Sequence, residues 1–274
     1  MKLFRTVKEV KEHRAGLRSV GLVPTMGAFH EGHLELMRQA RAHCETVYVS
    51  LFVNPAQFSE DDDLASYPRN EQRDLELAES QGVDAVFAPP VEEVYPGNAK
   101  KIFVKGVSEL WEGEHRTGHF DGVATAVYRL FDIFEPDQAF FGLKDLQQCA
   151  VITKMVADNN LAVQIVTVET VREESGLALS SRNFHFEPED LANASFLYKT
   201  LTSAARSISE ADKSFAEISN LAKSDLQSAG FVVDYFAIVD DETMVETNSH
   251  IRKMRIICAA NFKGVRLIDN VQCL

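Results

Sequence analysis

Short apolar runs alternate with helix-like segments along this chain as far as Val168. The apolar runs predict strands over residues 20–24, 47–53, 85–88, 138–142 and 163–168, and the segments between them predict helices over 34–43, 71–81, 122–134 and 146–159. Short, uniformly apolar strands are typical of parallel sheets that helices cover on both faces. The alternation therefore predicts an α/β, Rossmann-like fold with a doubly wound parallel sheet, which binds ligands beyond the carboxyl ends of its strands.

The pattern changes after Asn183. An acidic stretch around Pro188 predicts the start of a helix that runs to about residue 209, because proline and acidic side chains suit a first helical turn. A second helix is predicted over 211–229, and strands are predicted over 231–239, 254–260 and 265–268. We therefore expect a first domain over residues 1–178 and a smaller α+β domain over 179–274.

The net charge of −13 argues against a surface that binds nucleic acid or anionic membranes non-specifically. No apolar run approaches the roughly 18 residues that a membrane helix needs. The four cysteines are scattered without a Cys-x-x-Cys pair, and no secretory leader is recognised, so we expect buried, reduced thiols. These features predict a soluble, cytoplasmic enzyme with no nucleic-acid or membrane partner.

A turn with two histidines joins the first predicted strand to the following helix. Residues 24–33 read PTMGAFHEGH, so His30 and His33 stand near the helix start with glycines beside them. A first helical turn has unpaired N–H groups and the positive end of the helix dipole, and glycine lets a ligand approach the backbone. Two imidazoles here could donate hydrogen bonds to the phosphates of a nucleotide. In isolation, a surface histidine and a packing histidine would be the simpler interpretation.

Further polar residues follow later predicted strands. Lys144 and Asp145 come after the strand that ends at Gly142, where a lysine opposes the helix dipole unless an anion faces it. Lys144 could stabilise charge on a transferring phosphoryl group, whereas Asp145 fits either a ribose or magnesium-water contact or a plain helix N-cap. Gln57 and Gln148 carry donor and acceptor atoms suited to a small polar acid, although Gln148 alone would be interpreted as an exposed helix residue.

Two other segments allow two interpretations each. Ser180, Ser181 and Arg182 supply two hydroxyls and a guanidinium, which suit a phosphate clamp or, alternatively, a solvated linker between domains. The acidic run over residues 60–63 is typical of a solvated loop and less typical of a metal site.

A set of short stretches spans nearly the whole chain: PTMG (24–27), HEGH (30–33), FVNPAQF (52–58), YPR (67–69), GHFDGV (118–123), FGLKDLQQ (141–148), VRE (171–173), SSRN (180–183) and LIDN (267–270). In this order they resemble the pantothenate synthetase (pantoate–β-alanine ligase) family of the His-x-Gly-His nucleotidyltransferase superfamily. The resemblance implies an enzyme that joins pantoate to β-alanine with ATP and Mg²⁺, through a pantoyl adenylate, and that releases AMP and pyrophosphate.

The resemblance also implies roles for individual residues. His33, His30 and Lys144 would be catalytic, and Gln57 and Gln148 would bind pantoate or β-alanine. The implied ATP-binding residues are Met26, Gly27, Ala28, Phe29, His30, Glu31, Gly32, His33, Gly142, Leu143, Lys144, Asp145, Val171, Leu179, Ser180, Ser181 and Arg182.

Other implications are less direct. The resemblance places a magnesium contact at Asp74, places Arg69 and Arg116 near the site, and implies a homodimer formed through the first domain. We expect the second domain to act as a lid over bound ATP. Two positions depart from the family pattern, Ser175 in place of Asp and Thr117 in place of Pro, and both concern loop geometry.

Two alternative functions stay open at this point. One is a nucleotidyltransferase that stops after nucleotide transfer to a phosphorylated acceptor. The other is a regulatory nucleotide-binding module that has lost catalysis, which the retention of His33, Lys144 and Arg182 argues against.

Overall fold

The computed structural model describes residues 1–58, 64, 67–97, 99–211 and 213–273, so the acidic run at 60–63 lies outside the described residues. The chain divides into two compact units. The first comprises Met1–Leu143 and Val151–Glu169, and the second comprises Lys144–Ala150 and Thr170–Leu274. No single cut in the chain separates these units, because the chain enters the second at Lys144 and returns at Val151. The domain boundary expected after residue 178 stays a prediction.

A parallel sheet forms the centre of the first unit. Its strands are β1 (Lys2–Phe4), β2 (Val20–Thr25), β3 (Thr46–Leu51), β4 (Ala85–Phe87), β5 (Gln138–Gly142) and β6 (Gln164–Val168). They lie in the order β1-β4-β3-β2-β5-β6, and each neighbouring pair is parallel. The direction of strand addition reverses between β2 and β5, which is where doubly wound sheets bind ligands. The predicted α/β fold class is confirmed.

Helices connect these strands: α1 (Val7–Arg14), α2 (Glu31–His43), α3 (Glu71–Ser80), α4 (Val91–Val94), α5 (Glu112–His115), α6 (His119–Phe134) and α7 (Leu146–Asp158), with 3₁₀ turns at Pro55–Gln57 and Leu143–Asp145. Helices α2 and α6 both begin earlier than their apolar periodicity predicted, since polar residues and a glycine occupy their first turns. The sequence did not reveal β1, α1, α4 or α5, because short elements with few buried residues carry little periodic signal.

The core beside α2 anchors the turn that carries the histidines. Phe29 is 1% exposed and belongs to a buried cluster with Val23, Met37, Val49 and Phe140. The two-histidine turn is therefore continuous with a packed core on its N-terminal side.

The second unit is the predicted small α+β fold. Its antiparallel sheet has the order β7 (Val232–Asp240), β8 (Met254–Phe262) and β9 (Val265–Gln272), and its helices are α8 (Pro188–Ala194), α9 (Phe196–Glu210) and α10 (Phe215–Ser228). The single helix predicted from 188 to 209 is wrong. It is interrupted at the fully buried Ser195, whose hydroxyl donates to the Ala192 carbonyl at 2.6 Å.

All four cysteines are buried and unpaired, as predicted. Among the described residues, no helix has the length and apolar character needed to cross a bilayer.

Candidate active site

Two histidines cap the start of α2. His30 Nδ1 accepts a hydrogen bond from the Gly32 N–H at 3.1 Å, and His33 Nδ1 accepts one from the His30 N–H at 3.3 Å. This reciprocal arrangement is a capping box in which imidazoles take the places usually held by Ser or Thr and Glu. Because each Nδ1 accepts, each neutral ring carries its proton on Nε2. The rings lie 4.2 Å apart between centroids, and an Nε2–H group is a donor of the kind that suits a phosphate oxygen.

The turn before these histidines encloses a carboxylate of the protein itself. Gly27 and Ala28 have left-handed backbones, with φ of +92° and +53°. Asp74 on α3 accepts from the Ala28 N–H at 2.9 Å and from the Phe29 N–H at 2.8 Å, one through each carboxylate oxygen. Asp74 is 1% exposed. These two amides therefore already bind an internal anion.

The geometry of Asp74 bears on the predicted magnesium contact. Both of its oxygens are engaged with backbone amides. Across the ranges that the structure describes, no group of three or more His, Cys, Asp or Glu is placed to hold a metal ion. The arrangement favours a positioning role for Asp74, and its contact with magnesium stays a prediction.

Other residues of the same turn are more accessible. Glu31 is exposed and its carboxylate accepts from Arg38. Met26 directly follows β2 and is half-buried. Gly142 is the last residue of β5, the neighbour of β2 in the sheet, and Leu143 directly follows it.

A hydrogen-bond relay sets the orientation of the Gln57 amide. Asn54 Oδ1 accepts from the Ala56 N–H at 3.1 Å and from the Tyr95 hydroxyl at 2.6 Å. Its Nδ2 donates to Gln57 Oε1 at 2.9 Å. Since Gln57 Oε1 is engaged as an acceptor, the NH₂ group of Gln57 is the donor that it can offer to a substrate. Burial raises the pKa of Tyr95, which keeps this hydroxyl protonated and donating.

Helix α6 packs closely on the turn that carries Gln57. Asn54 Nδ2 donates to the Gly122 carbonyl at 3.1 Å, and a Cβ at Gly122 would lie 2.1 Å from the Ala56 carbonyl oxygen. His119 Nδ1 lies 2.9 Å from the Gln57 carbonyl oxygen, and Arg116 Nη1 lies 3.2 Å from His119 Nε2. Arg116 therefore stands next to the Gln57 turn.

Two other positions singled out from the sequence, Arg69 and Thr117, are exposed. Arg69 is exposed and donates to the Leu64 carbonyl at 3.3 Å. Thr117 is exposed between Arg116 and the start of α6.

The sequence did not single out Asn54, Tyr95 or His119. Asn54 belongs to a recognised stretch, but Tyr95 had no signal because its partner lies 41 residues away.

In the second unit, Lys144, Ser180 and Arg182 line one pocket together with Asp269 of β9. The Lys144 side chain is 19% exposed, with Nζ 3.8 Å from Asp145 Oδ1. Ser180 caps the 3₁₀ turn Ser181–His185, and its Oγ accepts from the Arg182 N–H at 3.2 Å. The structure thus brings three of the predicted phosphate-binding residues together.

The segment before this turn is a short hairpin. The Leu179 N–H donates to the Val171 carbonyl at 3.0 Å, which pairs the two ends of the hairpin. Ser175 Oγ accepts from the Leu177 N–H at 3.4 Å, so the serine supplies a side-chain acceptor within the turn. Gln148 lies in the first turn of α7 and is half-buried.

A family model described as pantoate-beta-alanine ligase matches residues 2–272. The chain belongs to the pantoate–β-alanine ligase family. A pantothenate synthetase from Cereibacter sphaeroides is 47% identical over 275 residues, which cover 98% of each chain. One from Thermus thermophilus is 46% identical over 274 residues, covering 98% of this chain and 99% of its own. Family membership therefore rests on the whole length and not on the two-histidine turn alone.

Solved structures of pantoate–β-alanine ligases share this fold. A crystal structure of pantothenate synthetase from Thermus thermophilus has a TM-score of 0.93 at 44% identity, covering 100% of this chain and 99% of its own. The pantoate–β-alanine ligase of Francisella tularensis, complexed with beta-gamma ATP and β-alanine, has a TM-score of 0.80 at 32% identity, covering 99% and 97%.

Proposed function

We propose that this chain condenses D-pantoate with β-alanine at the expense of ATP, in two steps. A pantoate carboxylate oxygen attacks the α-phosphorus of ATP, and the bond to the bridging oxygen breaks, which releases pyrophosphate and forms a pantoyl adenylate. The amine of β-alanine then attacks the acyl carbon, AMP leaves, and the amine loses a proton. The observation that carries the proposal is the paired-histidine cap of α2 in a chain that matches the ligase family over its whole length.

Histidine, lysine and glutamine side chains of the candidate site serve these steps. The Nε2–H groups of His30 and His33 hydrogen-bond the triphosphate, where donors set in advance stabilise the charge that moves to the leaving pyrophosphate. Lys144 neutralises charge on the transferring phosphoryl group. Gln57 donates its NH₂ group to pantoate, and Gln148 contributes a second amide.

The remaining nucleotide contacts follow from the positions of the binding segments. Ser180, Ser181 and Arg182 hold phosphates through hydroxyl and guanidinium groups. On the family resemblance, further contacts to ATP come from Met26, Gly27, Ala28, Phe29, Glu31, Gly32, Gly142, Leu143, Asp145, Val171 and Leu179. The N–H groups of Ala28 and Phe29 donate to Asp74, so these two residues would use other atoms. In this proposal Mg²⁺ enters with the phosphates as part of the ATP substrate. Its contact with Asp74 stays a prediction, since each Asp74 oxygen accepts one N–H and keeps a second lone pair.

We also propose a homodimer formed through the first unit, on the family resemblance. Phe103 in that unit is 66% exposed, which makes it a position at which such an interface can be probed. Light scattering of the protein and of Phe103→Ser tests the assembly, with a smaller mass expected for the variant if Phe103 lies in the interface. A monomeric mass for the unmodified protein would contradict it. The cytoplasmic location stays a prediction.

One assay tests the reaction and separates its alternatives. ATP and pantoate are supplied with and without β-alanine, and AMP and pyrophosphate are followed. We expect steady AMP release only when both pantoate and β-alanine are present. Pyrophosphate release with a phosphorylated acceptor, without AMP release, would favour a simple nucleotidyltransferase. ATP binding without any turnover would favour a regulatory module.

A further inference from the structure

We infer that Asp269 and Asn270 of β9 are positioning residues for the phosphate-binding pocket of the second unit. Together they hold the main chain at Lys144 and the hairpin that leads into Ser180–Arg182. The inference rests on the proposed function for the identity of the ligand. No role was assigned to either residue from the sequence, although both belong to the LIDN stretch near the end of the chain.

A bidentate ion pair joins Asp269 to the hairpin. Arg172 donates from Nη1 to Asp269 Oδ2 at 2.7 Å and from Nη2 to Oδ1 at 2.8 Å. The Asp269 side chain is 3% exposed and that of Arg172 is 16% exposed. The guanidinium also lies 3.8 Å from the centroid of the Tyr198 ring on α9. A forked, stacked and buried pair of this kind fixes the orientation of both partners.

The same guanidinium holds both sides of the hairpin. Arg172 Nη1 donates to the Gly176 carbonyl at 3.1 Å, and Arg172 pairs with Ala178 as an antiparallel bridge. Gly176 has a φ of +95°, and a Cβ there would lie 2.5 Å from the Tyr198 ring. The hairpin is therefore held against Tyr198 and β9, and Ser180 follows soon after its last paired residue.

Asn270 connects β9 to Lys144. Its Nδ2 donates to the Lys144 carbonyl at 3.3 Å, and its Oδ1 accepts from Arg255 Nη1 at 3.0 Å. An arginine can only donate, so this contact fixes which way the Asn270 amide faces. The Asn270 backbone continues the network, because its N–H donates to Asp269 Oδ1 at 2.7 Å and its carbonyl accepts from Arg172 Nη2 at 3.2 Å. One dipeptide therefore contacts the main chain at Lys144 and the hairpin that leads into Ser180–Arg182.

This arrangement matters because Lys144 and Arg182 have long, flexible side chains. Their charges stabilise a phosphoryl group only when the main chain from which they extend is held in place. If the network served stability alone, disrupting it would lower the melting temperature without a selective change in the ATP Kd or in pyrophosphate release. The two roles therefore predict different outcomes for conservative variants.

The test compares isosteric variants with a neighbouring control. Asp269→Asn removes the charge that Arg172 binds, and Asn270→Asp keeps the acceptor for Arg255 but removes the donor to Lys144. Val271→Ala is the control, since Val271 lies next in β9 and packs against the core of the second unit. We measure the ATP Kd by equilibrium titration, single-turnover pyrophosphate release with pantoate, and the melting temperature.

We expect Asp269→Asn to raise the ATP Kd and Asn270→Asp to slow pyrophosphate release, each on the order of ten- to a hundredfold. Val271→Ala should lower the melting temperature and change neither quantity. If Asp269→Asn does not fold, Arg172→Lys serves instead, because it keeps the charge and loses the fork and the ring contact. Equal losses in Val271→Ala would overturn the inference.

Double variants distinguish a positioning role, which acts through Lys144, from a purely structural role. If Asn270 acts through Lys144, Asn270→Asp should slow the reaction no further in a Lys144→Ala background. Fully additive effects would contradict this. Failure of the ligase reaction itself is distinguishable, since the ATP titration of Asp269→Asn does not depend on turnover.

Discussion

At the scale of single residues, the catalytic candidates are oriented by backbone hydrogen bonds. The Nδ1 atoms of His30 and His33 accept N–H groups within the first turn of α2, and this sets the tautomer of each ring. The imidazoles therefore do two things at once: they cap the helix, and in their neutral form they carry the ring proton on Nε2. Replacement by alanine removes a cap and a donor together.

We expect His33→Ala and Lys144→Ala each to slow single-turnover pyrophosphate release by on the order of a hundred- to a thousandfold. Each substitution removes a preorganised donor that would stabilise the charge developing in the transition state. The matched controls are His43→Ala at the end of α2 and Lys154→Ala on α7, whose side chains are exposed. Normal rates in both site variants would show that these residues are bystanders.

Asp74 gives a prediction about positioning. Asp74→Asn keeps the side-chain shape but turns one acceptor into a donor that faces a backbone N–H. We expect slower pyrophosphate release and a loss of about 1–3 kcal/mol in the free energy of unfolding. Glu76→Gln on the exposed face of α3 is the control. Rescue of Asp74→Asn by raised Mg²⁺ would instead support a metal contact.

Among the elements, the Pro55–Gln57 turn depends on how closely α6 approaches it. Gly122 allows the helix to contact the Pro55–Gln57 turn, and Asn54 donates to both Gly122 and Gln57. A glycine inside a helix normally weakens it, so its presence here is explained by this contact.

We expect Gly122→Ala to raise the KM for pantoate by about tenfold or more, because the new methyl would overlap the Ala56 carbonyl and displace the turn that carries Gln57. ATP affinity, measured by titration, should change much less. Gly97→Ala is the matched control, since its Cβ would meet no atom within 4 Å. An equal loss of ATP affinity in Gly122→Ala would show that the turn serves the nucleotide instead.

At the scale of the whole molecule, buried thiols link stability to pH. Burial raises the pKa of the Cys149 thiol to about 12 and also raises that of Cys258. In the unfolded chain the Cys149 thiol would ionise near its ordinary value of 9.0, so above that pH the unfolded state loses a proton that the folded state keeps. The contribution to stability is therefore complete below about pH 9 and is lost as pH rises towards 12.

We expect the free energy of unfolding to fall with pH above this point, by up to about 1.4 kcal/mol per pH unit for each such thiol. Urea unfolding of Cys149→Ala at several alkaline pH values, with reductant present, should give a shallower slope than the unmodified protein. The slope is the informative quantity, because a cavity lowers stability equally at every pH. An unchanged slope would mean that Cys149 does not contribute.

Local sequence patterns were sufficient to identify the fold class, the two-histidine turn and the family. These depend on local signals, namely the alternation of apolar runs, the spacing of His30 and His33, and short stretches in a characteristic order. A strand or a helix start is coded within a few neighbouring residues, so periodicity and spacing are enough to predict it.

The side chains that support the candidate site could be identified only from contacts in the folded chain. Asp74 reaches the Ala28 amide across 46 positions, Tyr95 reaches Asn54 across 41, and Arg172 reaches Asp269 across 97. The interruption at Ser195 belongs to the same class, since the residue suits a helix locally and is buried by packing. Contacts between distant segments arise when the chain folds, and no local pattern contains them. This is why the sequence could point to Asp74, Arg172 and Asp269 without showing what each of them contacts.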